Sequence, residues 1–224
     1  MNHVWALVPI KPLTQAKSRL ASLMSQPERA ELARHMMRDV LGTLRATPGL
    51  AGIALLTPDG SSAALADEFD CVTLMDDPAR DLSANLEAAA IELAAGGADT
   101  VLIVAADLPG LVPGHVSALL AAHRGGVTVV PAAMDGGTNA LAMTPPAAAQ
   151  CLFGPDSARR HLEGAQRRGL AAALLPLPGF ARDVDTVDDL LWLCSQPAGG
   201  AARQYLDRSG ICARLLRQDE AELT

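Results

Sequence analysis

The feature that most constrains this chain is a repeated alternation of short apolar runs with longer amphipathic stretches. VWALVPI (4–10), GIALLTP (52–58), CVTLMDD (71–77), TVLIVAADLP (100–109), GVTVVPA (126–132) and AAALLPL (171–177) read as strands. Several look buried on both faces of a sheet. Between them, PERAELARHMMRDVLGTLR (27–45) sets Leu32, Met36, Val40 and Leu44 along one face of a helix. DLSANLEAAAIELAAGG (81–97), PGHVSALLAAHR (113–124) and SARRHLEGAQRRG (157–169) are further helices, with Gly96, Gly97 and Gly169 as stops. Alternation at this spacing predicts βαβ units: an α/β fold with a mostly parallel sheet and helices on both faces. Such sheets bind ligands beyond the carboxyl ends of their strands, so functional residues should follow the apolar runs.

A chain of 224 residues makes one large or two small domains, and one α/β domain is the simpler reading. We assign residues 1–195 to it. The segment QPAGGAARQ (196–204) is a plausible hinge before a helical C-terminal extension, 196–224, that packs on the core or on a second subunit of a homodimer. Aromatic residues make up only 3% and the formal net charge is -7, which together argue against nucleic-acid partners: those need stacking rings and a basic footprint. Cys71, Cys151, Cys194 and Cys212 are scattered without a CxxC pair, so neither a zinc site nor a disulfide framework is expected. MNHVWALVPIKPL does not read as a signal peptide, and AAAIELAAGGA is broken by Glu92 and glycines before it could span a membrane. The expectation is a cytoplasmic protein with reduced thiols.

The chemistry concentrates after the apolar runs. GFARDVDTVDDLLWL (179–193) crowds four aspartates into seven positions. Asp188 and Asp189 suit the first turn of a helix that Thr186 caps, where the dipole favours negative charge. Asp183 and Asp185 need another account. Two residues apart in an extended segment, they point the same way and repel unless a cation lies between them. Asp107, at the end of VLIVAADLP, adds a third carboxylate at a strand end, and an all-oxygen cluster of this kind suits Mg²⁺ or Mn²⁺.

VPIKPLTQAKSRL (8–20) runs from a strand into a loop carrying Lys11, Lys17 and Arg19, which reads as a grip on a nucleoside triphosphate although no Walker-type glycine run is present. In MDGGTNALAMTPP (134–146), Gly136 and Gly137 allow close backbone approach, and Thr138 and Asn139 offer a hydroxyl and an amide; a glycine-rich hairpin is the plainer alternative. In CLFGPDSARRH (151–161), Gly154 followed by Ser157 as a helix N-cap suggests an anion site, with Arg159 and Arg160 nearby. The histidines read as structural, save His161, which lies one helical turn beyond Ser157 and is worth testing.

In PIKPLTQAKSRL, ADLP, GGTNAL, FGPDSARRH and DVDTVDDL, in that order over most of residues 4–193, the chain resembles the guanylyltransferases of coenzyme F420 biosynthesis. The segment after about residue 196 lies outside that resemblance. The resemblance implies a Rossmann-like mixed sheet of the nucleotide-diphospho-sugar transferase type. It implies transfer of GMP from GTP to a small phosphorylated acid: 2-phospho-L-lactate, phosphoenolpyruvate or 3-phospho-D-glycerate. The product would pass to a downstream transferase of that pathway. Carried over by position, Asp107, Asp183 and Asp185 would bind metal. Thr138, Gly154 and Ser157 would bind the acid, and Asn85 would lie near the nucleotide with Lys11, Lys17 and Arg19. Two departures stand out: Ser83 and Ala84 precede Asn85 where a glycine is expected, and Arg182 adjoins the paired aspartates.

A substrate phosphate is already ionised at neutral pH, so its attack on the α-phosphorus of GTP needs no Ser, Cys or His nucleophile. Positioning and charge neutralisation, by the three aspartates and Lys17, supply the acceleration. Two alternatives stay open. A pterin-type guanylyltransferase of the same fold would carry a glycine-rich first loop, which PIKPLTQAKSRL lacks, and a non-catalytic regulatory protein would have no reason to keep a repulsive carboxylate cluster.

Overall fold

The computed structural model describes residues 3–13, 16–197 and 199–222. One seven-stranded sheet organises them, in the order β3-β2-β1-β4-β6-β5-β7. Its strands are β1 (Val4–Pro9), β2 (Leu50–Thr57), β3 (Val72–Met75), β4 (Thr100–Val104), β5 (Gly126–Pro131), β6 (Thr138–Thr144) and β7 (Ala172–Leu174). All run parallel except β6, which pairs antiparallel with both β4 and β5, so the sheet is mixed. The strand β6 is the element that the apolar-run reading passes over. It forms one arm of a hairpin with β5, whose turn is closed by the Asp135 carboxylate accepting from the Gly137 N–H and by Gly136 at φ +69°.

The helices are α1 (Gln26–Arg45), α2 (Ala63–Phe69), α3 (Leu82–Ala95), α4 (Pro113–Ala122), α5 (Ser157–Arg167), α6 (Val187–Ser195), α7 (Ala201–Arg208) and α8 (Ile211–Glu222). The short α2 has no counterpart in the sequence reading, because seven residues hold too little periodicity to register. None of the described helices is long and apolar enough to cross a membrane. The two-residue period of each strand divides the core. Ala6, Val8, Leu102 and Val104 face α1, α2 and α4 on one side of the sheet. Leu7, Val101, Ile103 and Leu141 face α3 and α5 on the other.

A third apolar cluster joins Leu32 and Met36 of α1 to Val184, to Leu190 and Leu193 of α6, and to Ala202, Leu206, Ile211 and Leu215 of α7 and α8. The C-terminal helices thus pack on the chain's own core. Their docking has a specific latch: Asp39 of α1 accepts from the Ala202 N–H at 2.9 Å and from the Ala201 N–H, capping α7 from outside. A side chain on Gly200 would meet that carboxylate at 2.5 Å, so a larger residue there would have to push Asp39 off the latch. Cys194 and Cys212 form a disulfide between α6 and α8, which corrects the expectation of reduced thiols throughout; Cys71 and Cys151 are free. Packing α8 against α6 brings the two sulfurs together across eighteen residues, a proximity that spacing alone does not signal.

Candidate active site

The apolar run of β4 ends at Val104, and Asp107 lies three residues beyond it in a loop at the carboxyl edge of the sheet. That loop is tied to the aspartate segment by the Val184 N–H, which donates to the Asp107 carbonyl at 3.2 Å. Asp183 accepts from the Asn139 amide of β6 at 3.3 Å, and the same amide nitrogen donates to the Phe180 carbonyl. Asp185 is fixed through its backbone: its N–H donates to the Asp189 carboxylate at 3.1 Å. Asp107, Asp183 and Asp185 each offer an oxygen within 4.8 Å of the others, and this all-oxygen set can hold a metal ion.

Asp188 and Asp189 do sit in the first turn of α6, with Thr186 as N-cap in a reciprocal box with Asp189. Asp189 also pairs with Arg182 at 2.9 Å, and the Arg182 guanidinium lies over the Trp192 ring at 5.2 Å. Helix grammar therefore describes only part of Asp189. Its carboxylate joins the start of α6 to the backbone that carries Asp185.

Lys17 is the cation at this cluster. Its Nζ lies 2.7 Å from an oxygen of Asp107 and 2.7 Å from one of Asp185, with the side chain only 8% exposed. The backbone reaches this place in the left-handed region, φ 51°. Burial opposes the ammonium charge, but the two carboxylates outweigh it and hold its pKa above the ordinary value. Burial likewise opposes ionisation of Asp185, and Lys17, with Arg19 and Lys11 behind it, outweighs that and draws its pKa down. Asp183, without such a partner, is pushed up by burial and by the Asp107 charge. Neighbouring carboxylates thus differ in proton affinity because one of them holds the lysine.

A cavity of about 330 Å³ opens on this cluster. Lys11, Lys17, Arg19, Asp107, Asp185 and Thr138 all contribute to its wall, with Ile103 and Met36 among the apolar residues and Phe153 at one side. Among the described residues, Lys11 and Arg19 make no ion pair. Asn85 is placed differently. Its amide is spent on the 77–80 loop, accepting from the Asp77 N–H and donating to the Asp77 carbonyl, so it shapes that loop and is not on the cavity wall.

At the start of β6, the Thr138 hydroxyl accepts from Ser157 Oγ at 3.0 Å and lies 3.0 Å from His161 Nδ1. Ser157 is the first residue of α5 and is not its N-cap: Asp156 takes that position at φ 54° and turns its carboxylate to Arg159. The serine hydroxyl is spent on Thr138. Gly154, at φ +121°, lies in the loop just before, where a non-glycine residue would be strained. Helix α3 braces this loop: Glu87 accepts from the Cys151 N–H and Ser83 from the Phe153 N–H. Ser83, conspicuous in the sequence as a non-glycine before Asn85, therefore supports the 151–154 loop. The structure gathers Lys11, Lys17, Arg19 and the three aspartates in a charged patch and joins Ser157 to Thr138 in a neutral one beside it, whereas Asn85 closes its own loop and the exposed Arg159 pairs with Asp156 and Glu163.

This arrangement can bind a polyanion against three cations and a carboxylate-held metal, with a hydroxyl beside it for a second anion. Comparison with known proteins bears on which polyanion. Residues 4–223 match the family described as "Guanylyl transferase CofC like", so the likeness extends through the C-terminal helices beyond the boundary near residue 196 drawn from motifs. A phosphoenolpyruvate guanylyltransferase of Roseiflexus castenholzii is 38% identical over 211 residues, covering 92% of this chain and 97% of that one. Its namesake from Sphaerobacter thermophilus is 36% identical over 206 residues, covering 92% and 98%. In three dimensions the chain is similar to a protein of Desulfovibrio desulfuricans G20 described as a candidate nucleotide-diphospho-sugar transferase, with a TM-score of 0.78 at 21% identity over 97% of this chain and 98% of that one. The fold is thus that of the nucleotide-diphospho-sugar transferases, and the chain belongs to the CofC-like guanylyl transferase family.

Proposed function

We propose that this guanylyltransferase joins the GMP moiety of GTP to phosphoenolpyruvate, releasing pyrophosphate, as a step of coenzyme F420 assembly. The observation that carries the reading is the convergence on one cavity of Lys11, Lys17 and Arg19, the Asp107 and Asp185 carboxylates, and Thr138. The acceptor is taken from the name borne by the relatives that match over nearly the whole chain. A phosphate oxygen of the acid forms the new bond to the α-phosphorus. The bond to the β-phosphate oxygen breaks, and pyrophosphate leaves with the electron pair. A dication such as Mg²⁺ or Mn²⁺ on Asp107, Asp183 and Asp185 supplies neutralisation of phosphate charge when bound.

The chain's own groups do the rest. Lys11 and Arg19, exposed at the cavity mouth, draw in the triphosphate. Lys17 keeps Asp107 and Asp185 close and offers a proton donor to phosphate oxygens. Thr138, with Gly154 and Ser157, orients the acid. The test is pyrophosphate release with GTP, Mg²⁺ and each of phosphoenolpyruvate, 2-phospho-L-lactate and 3-phospho-D-glycerate, with ATP as control. Release with GTP and phosphoenolpyruvate is expected. Release with another acid alone would reassign the acceptor, and release with none would overturn the reading.

A further inference from the structure

Thr138 faces the cavity, and the bonds behind it decide what it can offer there. The Leu152 backbone N–H can only donate, and it meets His161 Nε2 at 2.7 Å. Nε2 must therefore be the lone-pair nitrogen, and in the neutral ring the proton sits on Nδ1. That nitrogen lies 3.0 Å from Thr138 Oγ1 in hydrogen-bond geometry, which the Ser157 carbonyl, the weaker contact of the ring, does not meet, so it donates to the hydroxyl. Ser157 Oγ donates to the same oxygen at 3.0 Å. A hydroxyl oxygen has two lone pairs and one proton. With both lone pairs filled from behind, Thr138 has only its proton left for the cavity.

Resting on the guanylyltransferase reading, we infer that His161 is a positioning residue: acting through Thr138, it fixes that hydroxyl as a donor into the cavity and so selects an acceptor group, a carboxylate or phosphate oxygen of the phosphorylated acid. The ring is suited to the task. It is 1% exposed, and Phe153 meets it edge-on with centroids 4.9 Å apart. Burial, followed by the Arg160 charge, brings its pKa down to about 4 against a weaker opposing contact with the Ser157 backbone, so it stays neutral at working pH. His161 itself is not on the cavity wall, and its action passes through Thr138.

Two measurements test this. The first is ¹⁵N NMR of the full chain labelled at histidine, with His161 assigned by its loss in His161→Asn. A neutral Nδ1–H tautomer that does not titrate between about pH 5 and 8 is expected. An Nε2–H tautomer, or a charged ring at neutral pH, would overturn the inference whatever the enzyme's substrates prove to be. The second is kinetic. His161→Phe should raise the KM for the acid about tenfold to a hundredfold and leave the KM for GTP in place. His161→Asn, which keeps a donor near Nδ1, should recover most of that loss. In a Thr138→Val background His161→Phe should cost little more, because its partner is already gone. Equal damage to both KM values, or additivity with Thr138→Val, would make His161 a packing residue only. Should His161→Phe fail to fold, His161→Asn and the NMR tautomer still decide. Failure of every acid to support turnover would sink the functional reading and leave the tautomer result standing.

Discussion

The two patches of the cavity are built on different physics. Around Lys17, groups are held by charge: two carboxylates on one ammonium, with Asp107 and Asp185 side chains 30% and 41% exposed. Around Thr138, groups are held by neutral hydrogen bonds in a buried cluster, where Thr138, Ser157 and His161 are all under a tenth exposed. The first can exchange partners when phosphates or a dication arrive, since an incoming phosphate oxygen can replace a carboxylate on the buried Lys17 ammonium and a dication can replace the ammonium on the part-exposed carboxylates. The second has its donors and acceptors assigned before any ligand binds. A flexible charged end and a preset neutral end suit a reaction that must grip a polyphosphate yet tell one small acid from another.

Substitutions should separate the ends. The largest effect is expected at the charged end. Asp107→Asn or Asp185→Asn should lower kcat by about a hundredfold or more, with an unchanged circular dichroism spectrum. Next comes Lys17→Met, which leaves two carboxylates facing one another without their counter-ion. Steady-state kinetics should show kcat/KM for GTP falling about tenfold to a hundredfold, with a smaller change in the KM for the acid. Thr138→Val should act the other way, raising the acid KM about tenfold with that for GTP in place.

Smaller effects concern stability. His161 has a folded pKa below its unfolded value, so the unfolded chain binds the extra proton first. Stability is then present above about pH 6.5 and is lost as pH falls toward about 4, by about 3 kcal/mol at most. Denaturant melts across that window should show the slope, and His161→Asn should flatten it. Cys194→Ser should cost about 3 kcal/mol by releasing an eighteen-residue closure, and it should spare both KM values because the bridge lies between α6 and α8, away from the cavity. If it altered the acid KM, the separation of the ends from their scaffold would be wrong.

How much of this the sequence discloses follows from the type of interaction. Asp107, Asp183 and Asp185 can be picked out because carboxylates crowded at strand ends ask for a cation, and basic residues after the first strand supply the complement. The sheet's parallel strands are legible as apolar runs. TNALAMT escapes because alanines dilute its apolar signal and a glycine-rich turn precedes it. Asn85 looks like a ligand residue, yet its amide closes its own loop, a commitment that only the folded 77–80 segment reveals. The spacing marks out His161 one turn beyond Ser157, but its hydrogen bonds, like the disulfide, stay hidden for a common reason: each depends on a contact between segments that packing alone brings together. For His161 the deciding partner is a backbone N–H at Leu152, which every residue except proline would supply.

The most direct test of the two-ended account is to measure both KM values and kcat for pyrophosphate release from GTP and phosphoenolpyruvate in the parent chain, Asp185→Asn and Thr138→Val. The account predicts a collapse of kcat in Asp185→Asn and a rise confined to the phosphoenolpyruvate KM in Thr138→Val. A Thr138→Val enzyme that loses GTP and phosphoenolpyruvate affinity in equal measure would contradict it.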